Sequence, residues 1–334
     1  MKDMTMAIRA PAEFSRPVDK AKKIGGMQRQ DLQFHGLTFV ATLALVAIFI
    51  GVIVTVLVGA WPSIQKFGVD FLTTSKWNPV TEKFGAQALI YGTVVTSAIA
   101  MILAVPTGIG IAIFLTEMCP QFLRRPIGIA VELLAGVPSI IYGIWGMFVF
   151  APFFQATAQP WLIELFANVP VLQGIFAGPP YGIGVFTAGI ILAIMILPFI
   201  AAVSRDVFET VPPALKESAY ALGCTKAEVM SNVTLPYVRA GVVGGAMLAL
   251  GRALGETMAV TFVIGNAHKI SGSLFAPGTT ISASIASEFA EAETDMHRSA
   301  LIESGLILFI ITFIVLALAQ LMLRQLARKR GARA

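Results

Sequence analysis

Five stretches of this chain carry no charged residue: Leu32 to Gln65, Phe84 to Thr116, Leu133 to Ile163, Leu165 to Ser204 and Ser304 to Leu323. About 20 apolar residues cross the hydrocarbon core of a bilayer as a helix, so each stretch is long enough to span. Inside lipid every backbone polar group must be satisfied within the protein, which leaves helices as the solution for runs this long. Composition points the same way. Hydrophobic residues make up 56% of the 334 and charged residues 13%, whereas roughly a quarter of a soluble domain is charged. The mean hydropathy is +0.79. The expected fold is an all-α integral membrane protein with six transmembrane helices, over residues 36–60, 87–115, 127–153, 183–204, 240–266 and 299–323. The first run is longer than the apolar region of a signal peptide and is read as a retained helix. Residues 1–35, with Pro11, Pro17, Gly25 and Gly26 among mixed charges, are expected to form a flexible tail. Residues 36–323 are expected to form one membrane domain and 324–334 a short basic tail. There is no room for a large soluble enzyme, and no internal repeat is evident.

The formal charge of +5 is not a nucleic-acid footprint, because the basic residues flank the apolar runs. An even number of spans puts both termini on one side. The tails and loops of that side hold eighteen Lys and Arg against five on the other. Cytoplasmic loops carry the excess of Lys and Arg, so both termini are expected in the cytoplasm. Cys119 and Cys224 lack the close spacing of a redox or metal motif, and neither a disulfide nor a zinc site is expected.

Several spans carry helix-breaking residues: Pro106, Gly108 and Gly110 in the second, Gly136, Pro138 and Gly143 in the third, Pro198 in the fourth. Proline removes a backbone donor, and lipid tolerates the resulting break only where protein or a water-filled cavity satisfies the freed groups. Helices with such breaks line pathways, although packing kinks account for any single one equally well.

The largest polar segment between spans is loop 205–239. Pro213 suits the first turn of a helix running through Ala214 to Leu222 and stopping at Gly223. Thr225 and Glu228 have the spacing of a capping box for a second short helix, which Pro236 is expected to close before the fifth span. The elbow has a recognisable pattern: Glu217-Ser218-Ala219, then Gly223, then Val233-Thr234-Leu235-Pro236. It resembles the Glu-Ala-Ala signature loop of ABC-importer permeases, with Ser218 and Val233 as mild departures and the spacing kept. More widely, the chain resembles the phosphate-specific ABC permeases of the PstC type. The residues that carry this are Trp61-Pro62-Ser63-Ile64, Leu133 to Ile140, Lys216 to Tyr220, Gly251 to Gly265, and Glu288 to Glu293. The resemblance covers about residues 36 to 323 and implies the type I ABC-importer permease fold. It also implies that Glu217, Ser218, Ala219, Gly223, Leu235 and Pro236 belong to coupling helices docking on an ATPase. The implied partners are a sister permease in a heterodimer, two ATPase subunits and a periplasmic phosphate-binding protein in the bacterial inner membrane. ATP and magnesium would sit on the ATPase.

Arg252 and Glu256 interrupt the apolar run from Ala240 to Ala267. At an i, i+4 spacing they are expected to share a helix face and pair, since a charge at mid-bilayer costs about 2.5–3.5 kcal/mol on insertion scales. Gly251 and Gly255 would form a small-residue seam on the neighbouring face. Two roles fit. Arg252 offers a planar bidentate fork suited to a transiting oxyanion, with Glu256 holding it in place; or the pair only fixes helix packing. Glu132 and Glu303, near span ends, are expected to reach the interface or to pair. The acidic segment Glu288, Glu291, Glu293 and Asp295 would repel phosphate and suits a partner protein or solvent instead. Ser139 and Tyr142 fit a path lining or packing equally. His35, His268 and His297 are expected to form no cluster.

No Gly-Lys dipeptide occurs, so the chain has no phosphate-binding loop of the ATPase type. No nucleophile elbow and no metal-binding His pair occurs either, and no catalytic residue, cofactor site or metal site is expected on this chain. The residues alone reach an anion-compatible membrane path. A permease for sulfate or molybdate, or a proton-coupled secondary transporter using Glu256, remains open on that ground.

Overall fold

The computed structural model describes residues 17–331, with side chains from 32 to 323. Two units divide the chain, Met1–Thr55 and Val56–Ala334. Helix α1 covers Pro17–Phe67. Helicity thus starts well before the expected tail ends at residue 35. Pro17 fits a first helical turn, and the Lys, Ala and Gln residues after it favour helix. Residues 1–16 of that tail, and 332–334 of the basic C-terminal tail, lie outside the described residues.

Six helices are long and apolar enough to cross a membrane: Leu32–Phe67, Gln87–Met118, Ser139–Phe166, Val185–Glu209, Lys226–Leu254 and Asp295–Leu323. Within the larger unit, α2 (Gln87–Ile113) leads through a π-helical turn, Phe114–Met118, to α3 (Gln121–Ala135). Helix α4 (Ser139–Trp145) opens the third span, and α5 (Val185–Glu209) is the fourth. Two short helices, α6 (Pro213–Ala221) and α7 (Lys226–Val229), precede α8 (Leu235–Leu254). Helix α9 (Met258–Ile264) follows α8, then α10 (Ile281–Glu288) and α11 (Asp295–Gly331).

Helix α5 is the centre of the unit. Its Ala188, Ile191, Leu192, Met195, Ile196 and Ile200 are buried against α2, α8 and α9. Apolar side chains gain nothing by leaving lipid for one another, so close packing has to hold such helices together, and small residues permit it. A Cβ at Gly108 of α2 would stand 2.7 Å from Ile200, and one at Gly189 of α5 would stand 2.6 Å from Ile99. Only glycine admits that approach from both sides. The N-terminal N–H groups of α5, which no helix can satisfy internally, find carbonyls in the loop after α9: Val185 N donates to Ala276 O at 3.2 Å and Phe186 N to Leu274 O at 2.8 Å.

Two expected spans are in fact broken. The third, expected over 127–153, starts only at Ser139 and runs to Phe166, and residues 127–135 belong to the separate helix α3, which ends before Gly136–Pro138. Pro138 lacks the donor that would continue α3 and forces the residue before it out of helical geometry. Tyr142 Oη donates to the Leu134 carbonyl at 2.9 Å and so satisfies part of the open end of α3. The fifth, expected over 240–266, stops at Leu254 and resumes at Met258. By contrast Pro106 and Pro198 lie inside unbroken helices.

Candidate functional site

Loop 205–239 folds largely as its local signals require. Helix α6 ends at Ala221, and Gly223 reverses the chain at φ +87°, a left-handed conformation that favours glycine. Its N–H donates to the Tyr220 carbonyl at 2.9 Å, and Cys224 N to the Ala219 carbonyl at 3.2 Å. Thr225 and Glu228 cap α7 reciprocally: Thr225 N donates to Glu228 Oε2 at 2.7 Å, and Glu228 N to Thr225 Oγ1 at 3.4 Å. Pro236 does not close this helix. A π-helical turn, Met230–Thr234, carries the chain directly into α8, and Pro236 sits in its first turn. A missing N–H is least costly there, and the wider turn makes room for the ring.

The loop presents one bare face. Glu217, Ser218, Gly223 and Pro236 are exposed, as are Leu215, Tyr220 and Leu222, while Ala219 is buried and Leu235 packs inward. Leu222 at the tip is 85% exposed. An apolar side chain held at the apex of a capped turn marks a contact surface more than a solvated one.

Arg252 and Glu256 do not pair. Among the described residues no ion pair joins them, because α8 ends at Leu254 and Gly255 breaks the face they were expected to share. Glu256 instead turns to α9, where its Oε1 accepts from Ala259 N at 3.3 Å and caps the helix. A carboxylate at a helix N-terminus is favourable for both hydrogen bonding and dipole. Arg252 is left exposed at the end of α8. Gly251 does lie in a helix contact, with Leu316 of α11 3.5 Å from where its Cβ would be.

Several other charges find partners. Glu132 of α3 accepts from Arg205 of α5 at 2.6 Å, and Asp206 from the same guanidinium at 3.0 Å. Lys216 of α6 pairs with Glu117 in the π turn after α2. Glu303 is buried in α11, and its Oε2 has no hydrogen-bond partner among the described residues. At the end of the unit opposite loop 205–239 stands a cluster that the sequence did not disclose. Glu288 accepts from Trp77 Nε1 at 2.8 Å and lies 3.0 Å from Nε2 of both His268 and His297. His268 and His297 therefore do converge, contrary to expectation. Trp77 stacks on His268 with ring centroids 5.1 Å apart, and Phe84 on His297 at 5.2 Å. Burial alone would push the Glu288 carboxyl up, but the hydrogen bonds from His268, Trp77 and His297 outweigh it and hold the group at about 2. A cavity of about 990 Å³ opens beside it, lined by Glu82, Asn266, Glu291 and Glu293 among others. No group of three His, Cys, Asp or Glu suited to a metal occurs among the described residues.

With this geometry in place, the likeness to known proteins is specific. Residues 104–331 match the family described as binding-protein-dependent transport system inner membrane component. The chain is 62% identical over 302 residues to the phosphate transport system permease protein PstC of Mesorhizobium japonicum, covering 90% of this chain and 92% of that one. It is 55% identical over 300 residues to the protein of the same name from Pasteurella multocida, covering 88% and 93%. In fold it is similar to a chain of the bacterial alginate ABC transporter crystallised with an alginate-pentasaccharide-bound periplasmic protein, with a TM-score of 0.56 at 14% identity over 89% of this chain and 96% of that one. The chain thus has the fold of an ABC-importer permease, and it belongs to the binding-protein-dependent transport inner membrane components, in their PstC branch.

Proposed function

We propose that this chain is the permease subunit of an ATP-driven phosphate importer of the inner membrane and forms half of its translocation path. The observation that carries the reading is the 62% identity, across 90% of the chain, to a permease named for phosphate transport. Sulfate or molybdate as cargo, and proton coupling through Glu256, find no comparable support. The rest of the assembly is a sister permease, two ATPase subunits that hold ATP and magnesium, and a periplasmic phosphate-binding protein. Both termini and loop 205–239 face the cytoplasm, in keeping with the excess of Lys and Arg on that side.

The residues of this chain then take the following roles. The bare face of α6 and its tip, with Glu217, Ser218 and Leu222, seats on the ATPase, and Gly223 and the Thr225 cap hold the elbow in shape. Arg252 contacts the passing anion. A guanidinium left uncovered by its own chain inside a membrane span needs a partner subunit or a water-filled path beside it, and its fork matches phosphate oxygens. Glu256 fixes the kink between α8 and α9 and so sets where Arg252 points. Competition tests this directly. In proteoliposomes holding the full complex, excess sulfate or molybdate leaves uptake of labelled phosphate unchanged, and Arg252→Ala abolishes most of the uptake while the complex still assembles. Strong inhibition by sulfate would reassign the cargo, and wild-type uptake by Arg252→Ala would remove Arg252 from the path.

A further inference from the structure

Loop 205–239 reaches the transmembrane helices by two routes of different kind. Its second half is continuous with α8, and its Met230 and Leu235 pack on an apolar cluster of Ala112, Phe208, Val211, Val238 and Val242. That cluster joins the ends of α2, α5 and α8. The first half, α6, has no such anchor. It hangs between Pro212 and Gly223, packs mainly on α7 and the π turn after it, and turns an exposed face outward. On its inner face Lys216 stands one turn before buried Ala219 and reaches Glu117. Among the described residues this is the side-chain bond that ties α6 to anything outside the loop.

We propose that Lys216 and Glu117 are a positioning pair that carries displacement of α6 to the end of α2. The proposal rests on the reading of loop 205–239 as the ATPase-docking element. Three observations support it. The pair is sheltered, with side chains 20% and 17% exposed, unlike the lysine pair Lys66 and Glu82 at 41% and 40%. Charges so placed attract one another more strongly than in water, and each is costly to leave alone. Glu117 lies in a π-helical turn, a weakened stretch of helix at which α2 can bend, and turns of this kind recur at functional sites. The same turn is gripped from the other side, where the Arg124 guanidinium of α3 donates to the Thr116 carbonyl. A pull on α6 therefore arrives at the hinge between α2 and α3, and α2 packs along the central helix α5. Neither residue touches the cargo or the ATPase; both act by holding α6 to the helix that it moves.

Charge exchange tests the pair in the complete complex in proteoliposomes, with Glu117→Lys, Lys216→Glu and the double exchange. Three quantities are read: ATPase retained on purification, hydrolysis stimulated by phosphate-loaded binding protein, and phosphate imported per ATP. Each single reversal is expected to keep the ATPase but lower phosphate imported per ATP about tenfold, and the double exchange to recover to within about threefold of wild type. An unchanged ratio in the single variants, or a double exchange that assembles yet stays as defective as they are, overturns the proposal. If the reversals do not assemble, Glu117→Gln replaces them under the same criterion: a lowered ratio supports the pair and a wild-type ratio overturns it. A Leu222→Asp control separates the underlying reading. Should the ATPase stay bound and transport stay normal with that tip charged, the docking role of the loop fails whatever the exchange shows.

Discussion

Thr225 is exposed, yet its side chain caps the start of the second helix of the elbow together with Glu228. Thr225→Ala removes the side-chain acceptor at the helix start and is expected to cost about 1 kcal/mol. The cost is local. Amide hydrogen exchange over residues 226–229 should quicken about fivefold, as that energy implies, while exchange in α5 stays unchanged; equal protection in the variant would contradict the cap. Glu288 gives a prediction in pH. Its carboxyl is held at about 2, below the ordinary 4.5, so it contributes stability above about 4.5 that is lost as pH falls toward 2. After discounting for the exposed part of the site, the contribution is roughly 1–2 kcal/mol. The thermal midpoint of the wild type in detergent should fall through that window, and Glu288→Gln should start lower at neutral pH and fall less. Parallel curves would show that Glu288 does not hold the cluster.

At the scale of elements, the α2–α5 contact depends on glycines that admit close approach. Gly189→Leu would drive side-chain atoms into Ile99, already 2.6 Å from the position of a Cβ. Overpacking of this kind costs about 1–3 kcal/mol, read as a lowered thermal midpoint and a larger aggregated fraction. The elements also show which parts of the architecture were legible from sequence. Six spans were legible because lipid demands length and apolarity and little else. The loop helices were legible because proline, glycine and capping pairs act within a few residues. Proline alone did not reveal where helices end: Pro106 and Pro198 stay inside helices, whereas α3 stops and the third span starts on either side of Gly136–Pro138, where a glycine and a proline combine. Gly255, taken for part of a seam, ends α8 and separates Arg252 from Glu256. The Glu288 cluster and the Lys216 pair join residues from separate loops and helices, the latter 99 positions apart, so no local spacing announces them.

For the whole molecule, the proposed function requires one direction across the membrane. Cys224 lies in the elbow and is half-buried, whereas Cys119 is buried. A membrane-impermeant maleimide should therefore label Cys224 in inverted vesicles and leave it untouched in right-side-out cells, with a cysteine placed at Ser271 behaving oppositely. The reverse pattern would invert the topology and remove the elbow from the reach of any cytoplasmic ATPase. On the proposed function, ATP hydrolysis on a partner, delivered through that elbow, drives phosphate along a path shared by this chain. The most direct measurement is uptake of radiolabelled phosphate into proteoliposomes holding this chain, its sister permease, the ATPase and the binding protein, with ATP present or absent and a proton uncoupler added. Uptake that requires ATP and ignores the uncoupler is the expected result. Uptake that continues without ATP and collapses with the uncoupler would contradict the account.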